Sequence, residues 1–308
     1  MSALILTMWP GAATAETLAT QSFLQPMGPV AEEQAAHLLR VVAITMIVIL
    51  PVLVGVPLLL WRYRLNSDKA KYTPEWEYSN KLELALWGVP IIIVVVLASW
   101  LWYSTSKLDP YKPIGENPLQ VQAIGLDWKW VFIYPEDGVA TVNELAIPVG
   151  RPVELTLTTD TVMQSMLIAP LTGQIYAMPG MTTKLNFSAT RTGTAEGENT
   201  QFNGTGFGRQ KFTVIALDSD RYDAWVSDAR SAPTLDDATY TILRRRSVLA
   251  ETRTDLGLTK DATPIYFSAP DTALFDRVVQ KYHQSRTAHT VDELGGTGLP
   301  PQGGGGPE

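Results

Sequence analysis

VVAITMIVILPVLVGVPLLLW, residues 41–61, decides the fold class: 21 residues carry no charge, and 14 of them are Val, Ile or Leu. At 1.5 Å rise per residue such a run spans ~31 Å, which matches a hydrocarbon core ~30 Å thick. A second uncharged run of 20 residues, LALWGVPIIIVVVLASWLWY, covers Leu84–Tyr103. Backbone amides in lipid must be satisfied within their own segment, so both runs are predicted to be transmembrane helices. Pro51, Pro57 and Pro90 would kink them, which neighbouring helices tolerate in a membrane. The alternative, a buried helical pair of a soluble protein, is disfavoured by two charge-free runs of spanning length.

The flanks orient the hairpin. The linker, residues 62–83, carries Arg62, Arg64, Lys69, Lys71 and Lys81, whereas the outer flanks hold only Arg40, Lys107 and Lys112. Positive-inside bias therefore puts the linker in the cytoplasm and both termini outside. Trp100, Trp102 and Tyr103 read as the outer aromatic belt, and Trp61 and Tyr63 as the inner one. Upstream, Met1–Ala15 (MSALILTMWPGAATA) ends in a small-x-small pattern that predicts export and cleavage before Glu16. It has no Lys or Arg at its start, so a merely apolar terminus is the competing reading. Residues 16–40 then form an external N-terminal segment. Without cysteine, no lipid-modified terminus is available.

Beyond Pro110-Tyr111-Lys112-Pro113 the texture changes to short apolar alternations. Gln120–Ala123, Trp128–Tyr134, Leu145–Pro148, Val153–Leu157, Lys184–Phe187 and Phe212–Leu217 are predicted strands, separated by turn clusters such as Pro135-Glu136-Asp137-Gly138. That spacing predicts a β-sandwich or barrel over 117–220. Residues 221–283 are predicted to be helical, with Leu274, Val278 and Val279 on one face of Thr272–Tyr282. Residues 284–308, with seven Gly and three Pro, are expected to be disordered, because they lack the apolar surface to offset ordering entropy. The predicted fold class is an α+β membrane protein: a two-helix hairpin, a β-sandwich on the export side and a helical C-terminal extension.

Composition removes several functions. With 24 Lys+Arg against 31 Asp+Glu and a net charge of −7, the chain is no general nucleic-acid binder. Zero cysteines exclude disulfides, thiolate catalysis and every thiolate metal site. The histidines are His37, His283 and His289, scattered too widely for a local metal site. No metal or cofactor is therefore expected on this chain. No Ser-His-Asp constellation, Walker loop or dinucleotide fingerprint is present.

Three features remain. Trp128, Trp130, Phe132 and Tyr134 alternate along DWKWVFIYPE and are expected to share one strand face as an aromatic packing strip. Glu83 opens the second span, either as an interfacial acid favoured by the helix dipole or as a carboxylate on a proton route. Glu75 and Glu77 lie in the same acidic stretch, farther from the bilayer. Arg244-Arg245-Arg246 reads as a solvated or subunit-contacting face. Asn186-Phe187-Ser188 and Asn203-Gly204-Thr205 match the glycosylation sequon, a pattern common by chance.

An exported N-terminus, a helix hairpin and DWKWVFIYPEDGVATVNELAIP leading into a sandwich together resemble subunit II of the haem–copper oxidases. The resemblance is closer to the quinol oxidases of the cytochrome bo type, in YTPEWEYSNKLELALWGVPIIIV, QIYAMPGM and YFSAPDTALFDRVVQKY, and runs from Glu32 to Tyr282. It implies a cupredoxin-like sandwich. The family's cytochrome c-oxidising branch carries a two-copper centre there, on a His followed downstream by Cys-x-Glu-x-Cys-x3-His-x2-Met. Against that pattern this chain has Gln164, then Asn199, Gln201, Asn203, Phe207 and Gln210. Neutral amides cannot replace bridging thiolates, so the resemblance implies a cupredoxin without metal.

The resemblance further implies a non-catalytic subunit of a proton-pumping ubiquinol oxidase in the bacterial cytoplasmic membrane, with the bulk of the chain in the periplasm. Haems, copper and ubiquinol would belong to subunit I. The partners would be oxidase subunits I, III and IV and membrane lipid, not cytochrome c or nucleic acid. Glu83, in SNKLE, matches the family's carboxylate at the mouth of a proton-uptake channel. A competing expectation from another class is a membrane-tethered, metal-free cupredoxin acting as a binding or assembly module outside any oxidase.

Overall fold

In the computed structural model, residues 22–64, 74–75, 77–258 and 264–283 are described. The signal-like Met1–Ala15, most of the basic linker, His289 and the Gly/Pro tail lie outside them. Two long helices come first, α1 (Pro29–Arg62) and α2 (Asn80–Lys107). Each contains one of the uncharged runs and exceeds it at both ends, and both are long and apolar enough to cross a bilayer. Proline inside each is tolerated without ending the helix, at Pro51 and Pro57 in α1 and Pro90 in α2. The apolar side chains stand exposed: Leu60 is 71%, Leu84 76% and Trp102 78% accessible. A buried soluble helical pair is thereby ruled out, since faces this apolar need lipid or another subunit over them.

The rest is a two-sheet sandwich. The strands are β1 (Leu119–Leu126), β2 (Lys129–Tyr134), β3 (Val139–Val142), β4 (Glu144–Pro148), β5 (Pro152–Thr159), β6 (Gln164–Leu167), β7 (Gln174–Ala177), β8 (Thr183–Ser188), β9 (Gly193–Asn199), β10 (Lys211–Leu217) and β11 (Ile265–Ser268). One sheet has the order β11-β3-β2-β1-β5-β8 and the other β4-β10-β9-β6-β7. Parallel pairs β1–β5 and β4–β10 sit among antiparallel ones. Between the sheets pack Trp130, Phe132, Tyr134, Leu155, Phe187 and Phe212. The outer face of the six-stranded sheet is also covered: Val131, Ile133 and Val142 meet Leu235, Leu243, Phe275 and Val278 of the C-terminal extension.

That extension comprises α3 (Ser219–Arg230), α4 (Asp237–Leu243), α5 (Leu249–Asp255) and a last helix, α6, over 274–283. Asp218 and Asp236 cap α3 and α4 by accepting from the backbone N–H groups of Arg221 and Thr239. The extension is not wholly helical, however. Ile265–Ser268 forms β11, which pairs antiparallel with β3 and becomes the edge of the six-stranded sheet. A four-residue apolar run is too short for periodicity to separate strand from helix. The sandwich expected to end at residue 220 thus takes its sixth strand from beyond that boundary.

The aromatic strip also differs from expectation. Trp130, Phe132 and Tyr134 share the inter-sheet core, but Trp128 does not. Strand pairing of Leu126 with Lys129 makes Asp127-Trp128 a two-residue turn, with Trp128 in the left-handed region at φ 67°. Its indole lies against the Cα of Gly206, where an added Cβ would come within 2.0 Å of the ring. Alternation cannot carry through a turn residue, which is why the pattern overcounted by one.

Helices and sandwich are joined by backbone hydrogen bonds. Met27 N–H donates to Pro170 O (2.7 Å), Thr190 N–H to Met27 O (2.8 Å) and Asn186 N–H to Pro110 O (3.0 Å). Between the helices, Glu33 accepts from Lys107 (3.1 Å), and His37 meets Ser104 Oγ at 3.3 Å and the edge of Trp100; within α1, Glu33 also accepts from Arg40 (3.4 Å).

Candidate functional site

Four of the six positions singled out against the copper pattern converge at one end of the sandwich. Gln164 begins β6, Asn199 ends β9, Asn203 lies in the following loop, and Gln210 precedes β10. All four are buried, Gln164 and Gln210 completely. Gln210 is the hub: its Nε2 donates to Gln164 Oε1 at 2.6 Å, while its Oε1 accepts from Asn199 Nδ2 (3.0 Å) and Asn203 Nδ2 (2.7 Å). Gln164 Nε2 donates to Leu126 O (2.9 Å) and Thr161 Oγ1 (3.2 Å). Asn199 Oδ1 accepts from the backbone N–H groups of Ser165 and Gln201, both at 3.0 Å. The remaining acceptor, Asn203 Oδ1, is buried with no partner among the described residues.

The other two positions stand apart. Gln201 contributes its backbone N–H and carbonyl, both to Asn199, and its side chain is half-buried. Phe207 turns its ring toward the exposed Phe202, centroid to centroid 5.7 Å. The donor set of the cluster is therefore neutral carboxamides already committed to one another, with no thiolate, imidazole or thioether. These residues do not fit a two-copper centre. Among the described residues, no group of three or more His, Cys, Asp or Glu side chains comes together. What the cluster can do is structural: it closes the loop 199–210 onto the ends of β1 and β6.

Around it lies a shell of charge that sequence reading did not find. Lys129 is fully buried, on the extension face of β2, and its Nζ donates to Ser247 O (2.8 Å), Arg245 O (2.9 Å), Ser247 Oγ (3.1 Å) and Asp127 O (3.2 Å). Burial pushes its ammonium down to about 8, against the opposing pull of Asp127. Lys129 alternates with Val131 and Ile133 on an apolar strand face, but its carbonyl partners at Arg245 and Ser247 lie more than a hundred residues away. The arginine run is paired rather than free: Arg244 with Asp160 (2.7 Å), Arg245 with Asp255 (3.6 Å) and Arg246 with Asp127 (3.9 Å). Arg246 also lies 5.0 Å over the Trp128 ring.

Asp160 forms a second hub. Its buried carboxylate accepts from Arg244, Lys281 (2.6 Å), Tyr240 (3.1 Å) and Tyr282 (3.2 Å). Burial and then the Asp160 charge raise both phenols, Tyr282 to about 12. These bonds hold α4 and α6 to the sandwich.

Glu83 sits in the first turn of α2, half-buried, and accepts from Trp87 Nε1 at 3.0 Å. It is remote in sequence and contact from the carboxamide cluster. Glu75 and Glu77 are exposed. Both sequon asparagines, Asn186 and Asn203, are buried, which is incompatible with a bulky glycan on the folded chain.

No protein-family model matches the chain. Curated relatives do. The cytochrome bo(3) ubiquinol oxidase subunit 2 of Pseudomonas putida is 41% identical over 229 residues, covering 73% of each chain. That of Pseudomonas aeruginosa is 37% identical over 264 residues, 85% of this chain and 76% of its own. The ubiquinol oxidase subunit 2 of Acetobacter aceti is 38% identical over 266 residues, 84% and 82%. Among solved structures, the periplasmic domain of subunit II of the Bradyrhizobium japonicum cytochrome oxidase is 20% identical over 38% of this chain and 97% of that one, with a TM-score of 0.37. A two-helix hairpin, a sandwich closed at one end by linked carboxamides, and relatives matched along most of their length lead to one assignment: the chain belongs to the subunit 2 family of the haem–copper ubiquinol oxidases.

Proposed function

We propose that the chain is the metal-free cupredoxin subunit of a proton-pumping ubiquinol oxidase, anchored by its hairpin beside subunit I and covering it from the periplasm. The observation that carries this reading is the Gln164–Gln210 cluster: six positions of a copper-ligand pattern hold residues that cannot bind copper, and four of them have become a hydrogen-bonded plug. Electrons then bypass this chain, passing from ubiquinol to haems and copper held by subunit I, without cytochrome c. The exposed apolar faces of α1 and α2 supply the contact with subunit I, with subunits III and IV completing the assembly. Lipid alone could cover those faces in a free-standing tethered module; the oxidase reading is favoured because relatives 37–41% identical are ubiquinol oxidase subunits 2.

Glu83 is assigned the entrance of a proton-uptake route on the cytoplasmic side. Its place at the linker end of α2, within the SNKLE stretch that resembles the family's proton-entry carboxylate, supports this role. Glu83→Ala is expected to slow quinol-driven oxygen consumption several-fold while haem content and assembly stay normal. Unchanged turnover would remove Glu83 from the proton route. Failure of haem-bearing subunits to co-purify with the chain would overturn the oxidase reading itself.

A further inference from the structure

Two cavities meet at Gln34. The first, about 370 Å³, opens where the ends of α1 and α2 join the sandwich, and Lys107, Asp109, Lys112, Thr172 and Gln174 are among its walls. The second, about 410 Å³, is lined by Phe23, His37, Leu38 and Val41, with Gln34 common to both. The first mixes polar and apolar walls and the second is mainly apolar, so together they match an amphiphile rather than a small solute.

Their height along the helices fits such a ligand. Val41 is the first residue of the uncharged run in α1, so the apolar cavity begins where hydrocarbon would begin. Lys107 lies four residues beyond Tyr103, the end of the second run. That is ~6 Å at 1.5 Å per residue, the depth of the headgroup layer outside a ~30 Å core.

Charge selects the head. Lys107 is already paired with Glu33, which also accepts from Arg40. Asp109 spends Oδ1 on the backbone N–H of Tyr111 (3.0 Å). Asn186 uses its Nδ2 on Pro110 O (2.9 Å). The Lys112 ammonium, the Gln34 amide and the Thr172 hydroxyl have no partner among the described residues. The first cavity thus offers unspent donors and, in Lys112, an ammonium outside any ion pair among the described residues, with the Asp109 carboxylate on the same wall held by the Tyr111 backbone. A neutral quinone head would leave that cation unused, whereas a phosphodiester would bind it through charge-assisted hydrogen bonds.

We propose that these two neighbouring cavities, which share Gln34 in their walls, form a phospholipid site, with the phosphodiester on Lys112, Gln34 and Thr172 and the start of an acyl chain over Phe23, Leu38 and Val41. Inorganic phosphate shares the head chemistry but would occupy only the polar half. The experiment measures phospholipid retained by the full-length chain, purified from its own membrane with its bound partners, by native mass spectrometry and phosphorus analysis. Wild type is expected to keep one phospholipid through detergent washing. Lys112→Gln should lower retention about tenfold, the loss of one charge-assisted contact. Lys112→Arg should restore it, and Arg209→Gln, outside both cavities, should leave it unchanged. The delipidated protein is then offered inorganic phosphate or phosphatidylglycerol nanodiscs, and only the lipid should rebind in a Lys112-dependent way. Equal retention by wild type and Lys112→Gln, loss in Arg209→Gln, no rescue by Lys112→Arg, or rebinding of phosphate alone would overturn the site. Because bound lipid rather than turnover is read, the result is independent of whether the complex oxidises quinol.

Discussion

Gln210 Nε2 donates to Gln164 Oε1 at 2.6 Å, tying the strand-entry residue of β10 to that of β6. In a cupredoxin that held copper, those two places would belong to metal ligands. Here the same loops are drawn together by amides, which supply directional bonds but no charge. The cluster holds the loop 199–210 to the ends of β1 and β6, and on the proposed reading it does so in place of a metal.

Removing the hub is expected to be expensive. Gln210→Leu removes the partner of Gln164 Oε1 and of Asn203 Nδ2 and one of the two acceptors of Asn199 Nδ2, and each unsatisfied polar group costs about 1–3 kcal/mol. A loss of about 2–4 kcal/mol in unfolding free energy follows, since some groups will find water or each other. Gln201→Ala, which touches the cluster only through its backbone, should change stability by less than about 0.5 kcal/mol. Denaturant midpoints of the two variants check this, and similar midpoints would contradict it.

Lys129 gives the fold a pH dependence of known sign. Its folded value is lowered to about 8 from an ordinary 10.5, so between those pH values the unfolded chain binds more protons. Stability therefore rises with pH through that window, and the penalty for burying the ammonium is fully present below pH 8. Relative to Lys129→Met, wild type should gain on the order of 2 kcal/mol from pH 8 to 10.5. Thermal melts of both proteins across that range report the difference. A constant gap, or one moving the other way, would show that Lys129 is solvated.

Asp160 holds the last helix. Asp160→Asn removes the acceptor of two cations, but Arg244 and Lys281 are 43% and 44% exposed and can turn to water. The expected loss is therefore about 1–3 kcal/mol rather than that of a fully buried pair. It should appear locally, as faster amide exchange over 274–283 with little change in β1 and β2. Uniform exchange across the chain would mean that α6 is held by packing alone.

The hairpin and six of the strands could be read from residue order because their signals are local: charge-free runs of bilayer length, and apolar alternation closed by Gly, Pro and Asp. What escaped reading was non-local. β3, β6 and β7 have four residues each, too few for alternation to register, and β9 (GTAEGEN) is polar and placed by its pairing with β6 and β10. β11 pairs with β3, whose residues lie over a hundred positions earlier. Trp128 obeyed strand alternation in sequence but sits in a turn, because Asp127-Trp128 reverses the chain. The carboxamide positions were legible only through the resemblance to a ligand pattern, and composition alone gave no hint of them. Lys129 and Asp160 were invisible because their partners, the carbonyls around 245–247 and the side chains of α4 and α6, come together only in the fold.

The central claim is that electrons reach oxygen without passing through this chain. The most direct measurement is oxygen consumption by the purified assembly containing it, driven in turn by ubiquinol and by reduced cytochrome c, with copper determined on the isolated chain. The account predicts rapid consumption with ubiquinol, none above background with cytochrome c, and no stoichiometric copper on the chain. Turnover sustained by cytochrome c, or the purple absorption of a two-copper centre on this chain, would contradict it.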